Sequence, residues 1–272
     1  MSLRCLDALC GVLCAFAAAG ARGADAPPLR VCADPDNPPY SQRDGSGFEN
    51  RIARLVADEL HRPLDYFWQE QGRGFVRKTL GAGACDVFIG VPAGFDKVLR
   101  TQPYYRSTYV AVTRRADAPF AGFAPEQLRS RRFGVQLIGN DMAASPPGQA
   151  LARGGATANV TGFLIRGDGP AARRMVDAVA SQAIDVALVW GPQAGYFVRH
   201  ASAPLVLAPV AAPAGLPVPF DYAIAMGVRK GDMALRDQLD DVLRRRRADI
   251  DAILADYAVP RTDVPTASGG MP

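Results

Sequence analysis

Several stretches of this chain gather side chains able to bind or transform a small molecule. Asp34-Pro35-Asp36-Asn37-Pro38-Pro39-Tyr40 offers two carboxylates, an amide and a phenol, and Glu49 adds a further carboxylate nearby. Arg73 and Arg77 flank a short apolar segment, while Gly90, Pro92 and Gly94 punctuate the exit of an apolar run. Pro103-Tyr104-Tyr105-Arg106-Ser107 sets two rings, a guanidinium and a hydroxyl side by side, and Trp190-Gly191-Pro192-Gln193 adds an indole and an amide. A guanidinium can fork onto a carboxylate. Rings with polar tips suit peptides as well as small ligands, with packing between elements as their competing role. Asp34, Asp36 and Glu49 can do acid–base work only if folding brings them together. No Gly-x-Ser-x-Gly elbow, Ser-x-x-Lys, glycine-rich phosphate loop or His-Glu-x-x-His is present, the sequence patterns that mark such chemistries. His61 and His200 fall at expected helix ends, where capping is their ordinary role. Binding, rather than catalysis, is the expectation.

The elements that must position these residues alternate between strand and helix. Leu29–Ala33 reads as a strand feeding the proline-rich loop, which can neither continue a strand nor start a helix because proline removes donors and fixes φ. A helix follows, with Ile52, Leu55, Val56 and Leu60 on one face and Glu49 in its first turn. At that position Glu49 is a helix-stabilising residue first and a ligand contact second. Leu64–Trp68 is the next strand, and Phe75, Val76 and Leu80 recur at helical spacing before Gly81 and Gly83. Cys85–Val91 is a continuous apolar run of the kind expected in a parallel strand covered on both faces. Its outgoing loop should lie at the carboxyl edge of the sheet, where open α/β folds bind ligands.

After Thr113 the texture turns polar, which places the first crossing to a second lobe there. Strands are expected at Phe133–Ile138, Val160–Leu164, Asp185–Val189 and Leu205–Ala208. A helix is expected over Met142–Ala152, interrupted by Pro146-Pro147-Gly148, and another over Ala171–Ala180. Residues 209–219 read as the return linker. Tyr222–Val228 and two amphipathic helical faces then rejoin the first lobe. The expected organisation is thus lobe 1 over 29–113 and 221–258, lobe 2 over 114–220, and a disordered tail over 259–272. An internal echo supports two lobes: Gly83-Ala84-Cys85-Asp86-Val87 to Pro92 parallels Gln182-Ala183-Ile184-Asp185-Val186 to Pro192.

Composition narrows the class further. Arg4, the small-to-apolar stretch Ala8–Ala19 and Ala21-Arg22-Gly23 read as a secretory leader over 1–23, cleaved after Gly23. Its apolar part, about a dozen residues, is short of the ~20 that span a bilayer, so no membrane span is expected. The net charge is +4, and losing Arg4, Arg22 and Asp7 with the leader changes it little. Scattered basic residues give no nucleic-acid face, and the Arg244–Arg247 cluster reads as a solvated helix end. Of five cysteines, only Cys32 and Cys85 remain in the exported chain. They are expected to form a disulfide, against the alternative of two buried thiols, with a loop-closure stabilisation of about 4 kcal/mol before any strain. No metal-ligand cluster is visible, and no cofactor is expected.

The segments VCADPDNPPYS, GFENRIA, RGFVR, CDVFIGVPAG and TQPYYRSTYV occur in this order. Together they resemble the MxaJ/XoxJ family, periplasmic solute-binding-like proteins associated with quinoprotein methanol dehydrogenases. The resemblance implies an α/β, two-lobed periplasmic binding protein fold of type II with two crossover strands, a periplasmic location, and a PQQ-dependent methanol dehydrogenase, with its cytochrome c, as partner. Amino-acid receptors of this fold hold the ligand carboxylate with an arginine and its ammonium with an aspartate. Those positions fall here near Gly94 and Trp190, which leaves Arg73, Arg77 or Arg106 as replacements. A receptor for an importer and a dehydratase-like enzyme are the alternative readings on the same fold.

Overall fold

Strand and helix alternate as the apolar runs dictate, in a computed structural model that describes residues 26–138, 143–165 and 167–263. The expected leader and the chain beyond Asp263 lie outside the described residues. The first lobe opens with β1 (Leu29–Ala33), the small hairpin β2 (Asp36–Asn37) and β3 (Ser41–Gln42), α1 (Phe48–Glu59), β4 (Leu64–Trp68), α2 (Phe75–Lys78), β5 (Val87–Pro92) and β6 (Leu99–Arg100). The long strand β7 (Tyr105–Arg114) then leaves it. The second lobe holds α3 (Pro125–Arg129), β8 (Phe133–Ile138), β9 (Ala143–Ala144), α4 (Pro146–Arg153), β10 (Val160–Leu164), α5 (Ala171–Ala180), β11 (Val186–Trp190), α6 (Gly191–Arg199) and β12 (Leu205–Pro209). Strand β13 (Asp221–Val228) returns to α7 (Met233–Arg245) and α8 (Arg247–Asp256).

The strands run in the order β10-β8-β11-β7-β13-β5-β1-β4, so each lobe repeats one pattern from its outer edge to the middle. In each, three parallel strands (β4, β1, β5 or β10, β8, β11) are followed by one antiparallel crossing strand. The crossing happens inside β7, not after it. Tyr105–Thr108 pair with β13, whereas Tyr109–Val112 pair with β11 and Val110–Arg114 with β12. The polar run at 114–119, expected to mark the crossing, comes after the strand has already changed partners.

The echo between the halves has a physical meaning at the sheet edge far from the strand exits. Asp86 accepts the Arg30 backbone N–H (3.1 Å) and its guanidinium (2.8 Å), and Arg229 from the end of β13 adds a bond at 3.2 Å. Asp185 does the same with the Arg132 N–H (2.8 Å), its guanidinium (2.7 Å) and Arg114 from the end of β7 (3.4 Å). Each aspartate thus ties a central strand to its parallel neighbour and to the crossing strand, and these charge-assisted bonds hold both carboxyls below the ordinary range.

Apolar layers cover both faces of each half. Leu235, Leu239, Val242 and Leu243 of α7, with Ile250, Ile253 and Leu254 of α8, pack with α1 on one face of the first lobe. Each such side chain stabilises by roughly 1.5–3 kcal/mol when fully buried. On the other face lie Leu80, Phe88, Val98 and the Cys32–Cys85 disulfide, whose Cα atoms are 5.4 Å apart. In the second lobe α5 and α6 cover one face, and Phe120, Leu128, Phe133 and Leu151 the other.

Local chemistry explains where the elements depart from expectation. The helix at Phe75 stops at Lys78, where the Thr79 backbone leaves helical geometry (φ -114°, ψ -91°) while its N–H and hydroxyl both donate to the Phe75 carbonyl, and a single 3-10 turn (Leu80–Ala82) follows. Pro146 and Pro147 open α4 instead of interrupting a longer helix, since the first helical turn needs no N–H from them; Met142 lies outside the described residues. Val259–Asp263 are not a disordered tail. Val259 is buried, Pro260 accepts from the Ser107 hydroxyl at 2.6 Å, the Thr262 N–H donates to the Arg106 carbonyl at 3.1 Å, and Arg261 pairs with Asp251 and Asp263. This segment straps the back of the hinge, where the Tyr196 and Tyr257 rings also stack across the lobes. All four arginines of 244–247 are ion-paired: Arg244 with Asp241, Arg245 and Arg246 with Glu59, and Arg247 with Asp251. Among the described residues no helix is long and apolar enough to cross a membrane.

Candidate functional site

The two sets of parallel strands end facing each other across a cleft of about 1410 Å³. Its first wall comes from the β1 exit (Asp34, Asp36, Asn37, Tyr40), the start of α1 (Glu49), the loop and turn after β4 (Glu70–Gly72, Gly74–Arg77) and the end of β5 (Gly90, Val91, Pro92). The second wall comes from the ends of β8 (Gln136, Ile138) and β11 (Trp190) and the first turns of α4, α5 and α6 (Pro146, Ala171, Gln193). The floor is the crossing pair, through Tyr105 and Tyr109 of β7 and Tyr222 and Ile224 of β13. Of the residues singled out by sequence, Asp34, Asp36, Asn37, Tyr40, Glu49, Arg77, Gly90, Pro92, Tyr105, Trp190 and Gln193 meet here.

Arg73, Gly94, Tyr104 and Arg106 do not. Strand alternation puts Tyr105, Ser107 and Tyr109 on one face and Arg106 on the other, where it is exposed and pairs with Asp221. Tyr104 is fully buried in the first lobe, its hydroxyl donating to the Ile89 carbonyl at 3.0 Å. Arg73 is exposed in the turn before α2, and Gly94 lies outside the cleft in the exposed loop after β5. Tyr109 and Tyr222 were missed by sequence reasoning. The signal for Tyr109 was present, because it follows Tyr105 by twice the strand period.

The three carboxylates have different environments. Asp34 is buried and committed to backbone groups, accepting the N–H of Asp36 in its own loop (2.9 Å) and of Gln71 in the loop after β4 (2.6 Å). Asp36 is exposed at the rim. Glu49 is the second residue of α1, with only part of its surface open to the cleft, and its carboxylate lies against the β5 backbone. A Cβ on Gly90 would sit 2.2 Å from its Oε1. Burial pushes the Glu49 carboxyl up to about 8. The positive end of α1 opposes that rise, but a helix end contributes ~0.3–2 kcal/mol, whereas a rise from 4.5 to about 8 corresponds to about 5 kcal/mol; desolvation wins. The three acids therefore share a cavity without forming a hydrogen-bonded dyad.

Aromatic rings join the walls to the floor. Burial raises the Tyr40 hydroxyl well above an ordinary phenol, and the Trp190 indole, from the other lobe, opposes that rise. Trp190 also meets Tyr109 and Tyr222 edge to face, with ring centres 5.4 and 5.6 Å apart. Trp190 thus packs the lobes and faces the cleft at once. Among the described residues no group of three His, Cys, Asp or Glu side chains is arranged to hold a metal.

Two α/β lobes, two crossing strands and a cleft at the facing strand ends define a two-lobed binding protein. The model of the bacterial extracellular solute-binding proteins, family 3, matches residues 29–259. Protein MoxJ of Methylorubrum extorquens is 35% identical over 260 residues, covering 89% of this chain and 84% of that protein. The crystal structure of the periplasmic binding protein XoxJ from Methylobacterium extorquens AM1 superimposes with a TM-score of 0.72 at 35% identity, over 87% of this chain and 100% of that one. MxaJ from Methlophaga aminisulfidivorans MPT gives 0.73 at 26% identity, over 86% and 99%. The chain belongs to the family 3 extracellular solute-binding proteins and, within them, to the MxaJ/XoxJ family.

Proposed function

We propose that this protein is a non-catalytic periplasmic accessory protein that associates with, or helps mature, a PQQ-dependent methanol dehydrogenase, taking a segment of that enzyme into its cleft. Family membership supports the pathway, and the cleft supports the mode. At about 1410 Å³ the space exceeds the ~300–1,000 Å³ usual for small-molecule pockets. Its walls are aromatic and amide-bearing. By the resemblance, the positions where amino-acid receptors place their charged clamps fall near Gly94, which does not line the cleft, and near Trp190, which does. Ile138 and Ile165, 43% and 46% exposed, add apolar surface at the mouth, as suits a protein partner. The aromatic cleft without a charged pair of clamps is the observation that carries this reading.

The test is a pull-down of the purified chain with the periplasmic dehydrogenase in its cofactor-free and loaded forms. Retention of either form is expected, and retention of neither refutes the proposal. Arg77, which lines the cleft, favours a second reading, the receptor of an importer for a small solute. Native mass spectrometry finding a stoichiometric amino or organic acid on the gently purified protein would select it.

A further inference from the structure

Glu49 is the unexplained acid of the cleft. Among the described residues its carboxylate has no hydrogen bond and no ion pair. The groups that act on one another's charge with it are tyrosines from each element packed around it: Tyr40 from the loop after β2, Tyr66 from β4, and Tyr104 and Tyr105 at the start of β7. Burial raises each of these phenols, so all are neutral near pH 7 and none supplies a countercharge. The glycine at position 90 makes room for the carboxylate, which any side chain there would displace. Apart from Glu49, the described lining residues carry Asp34, Asp36 and Glu70 against Arg77 and Lys97, an acidic excess. Beside Glu49 stand Tyr40, whose carbonyl accepts the Glu49 N–H at 2.9 Å, and Tyr105, and Trp190 lines the same cleft; the faces of such rings attract cations.

We infer that Glu49, in the cleft it shares with Tyr40, Tyr105 and Trp190, is a subsite for an organic cation, a protonated amine or a guanidinium, brought either by a free small molecule or by a lysine or arginine of a partner's segment. The inference rests on the reading of the cleft as the binding site and adds the chemical class it selects. Ionising an unpaired, partly covered carboxyl is costly, and an entering cation offsets that cost while rings of the cleft replace part of its hydration. A neutral Glu49 must shed its proton as the cation arrives, so binding near pH 7 releases a proton, strengthens as pH rises to about 8, levels above that, and weakens once the amine itself deprotonates.

The experiment is calorimetric titration of the purified chain at pH 7, in two buffers of different ionisation enthalpy. The probes are n-butylammonium against n-butanol, and a short N-acetylated peptide with one lysine against the same peptide with that lysine acetylated. At least one cationic probe should bind tenfold or more tightly than its neutral counterpart, with proton release. Butylammonium binding identifies a free cation as sufficient, and binding of the lysine peptide alone identifies a partner's side chain. Glu49→Gln removes the charge in nearly the same shape, and Gly90→Ala keeps the charge but pushes the carboxylate aside; each should lower cation affinity at least tenfold, with folding verified by circular dichroism. Equal binding of charged and neutral probes, or unchanged cation binding by Glu49→Gln, overturns the inference. Dehydrogenase association by a chain that shows no cation preference removes this inference alone, whereas Glu49-dependent cation binding without dehydrogenase association removes only the functional proposal.

Discussion

Replacing Glu49 by glutamine should stabilise the protein, and more so as pH rises. In the folded chain the Glu49 carboxyl sits at about 8, against an ordinary 4.5. Between these values the native state keeps a proton that the unfolded chain has lost. Stability from this group is therefore fully present below about pH 4.5 and drains away as pH rises through about 8. The slope is about 1.4 kcal/mol per pH unit. Glutamine fills the same space and does not titrate. The stability gap between Glu49→Gln and the parent chain should thus be near zero at pH 4, about 3 kcal/mol at pH 7, and level above pH 8 at roughly 5 kcal/mol. For a chain of this size about 3 kcal/mol corresponds to roughly 6–12 °C in Tm. Urea unfolding at pH 4, 5.5, 7 and 8.5 with matched ionic strength reads the gap directly. Parallel stability curves for the two proteins across that range would refute the argument, because they would place Glu49 in contact with water or with a cation already in the fold.

The disulfide closes a span of 53 residues, so the Cys32→Ser/Cys85→Ser double variant should lose about 4 kcal/mol, read by urea unfolding; a loss under 1 kcal/mol would contradict the loop-closure account. Asp86→Asn and Asp185→Asn test the repeated clamp. The Asp86 side chain is 9% exposed and that of Asp185 25%, so the first variant should cost about 3–5 kcal/mol and the second less. Both carboxyls sit low when folded, so their contribution is present above the ordinary carboxylate range and lost as pH falls through their lowered folded values. The reverse ranking of the two variants would sink the argument. Gly195→Ala places a methyl 1.9 Å from the Ala258 carbonyl oxygen, where α6 meets the segment behind the hinge. It should cost about 1–3 kcal/mol in a thermal melt, and an unchanged Tm would show that the strap yields freely.

Much of this architecture was legible because strands write themselves as short runs rich in apolar residues between turn signals: Leu29–Ala33 and Phe133–Ile138 inside the sheet, and Leu64–Trp68 and Val160–Leu164 at its edges, all have the bounds their sequences suggest. The crossing was misplaced because its signal is a change of partners within one uninterrupted strand, and nothing in the polarity of Tyr105–Arg114 marks the residue where that happens. Tyr104 and Tyr105 are chemically alike in sequence, and only strand geometry sends one hydroxyl to Ile89 and opens the other ring to the cleft. The ordered strap was hidden for a different reason. Pro260 and Thr262 are held through backbone groups by Ser107 and Arg106, contacts across the whole chain that leave no local periodicity.

The two halves divide their tasks between opposite sheet edges. At the far edge the Arg-Asp-Arg clamp is built twice from equivalent strands, with nearly the same distances. At the cleft edge the same strands end differently, β5 in Gly90-Val91-Pro92 beside Glu49, β11 in Trp190 and the first turn of α6. A binding site made by facing two such ends gains its chemistry from the mismatch, since one lobe supplies a carboxylate and the other an indole that reaches across to Tyr40. The repeated edge has only to keep three strands in register, and its side chains are consumed by one another. The unlike edge is therefore where a substitution can change what is bound without loosening the fold, and Gly90, which has neither a side chain of its own nor a partner in the clamp, is the position where the smallest change should alter binding most.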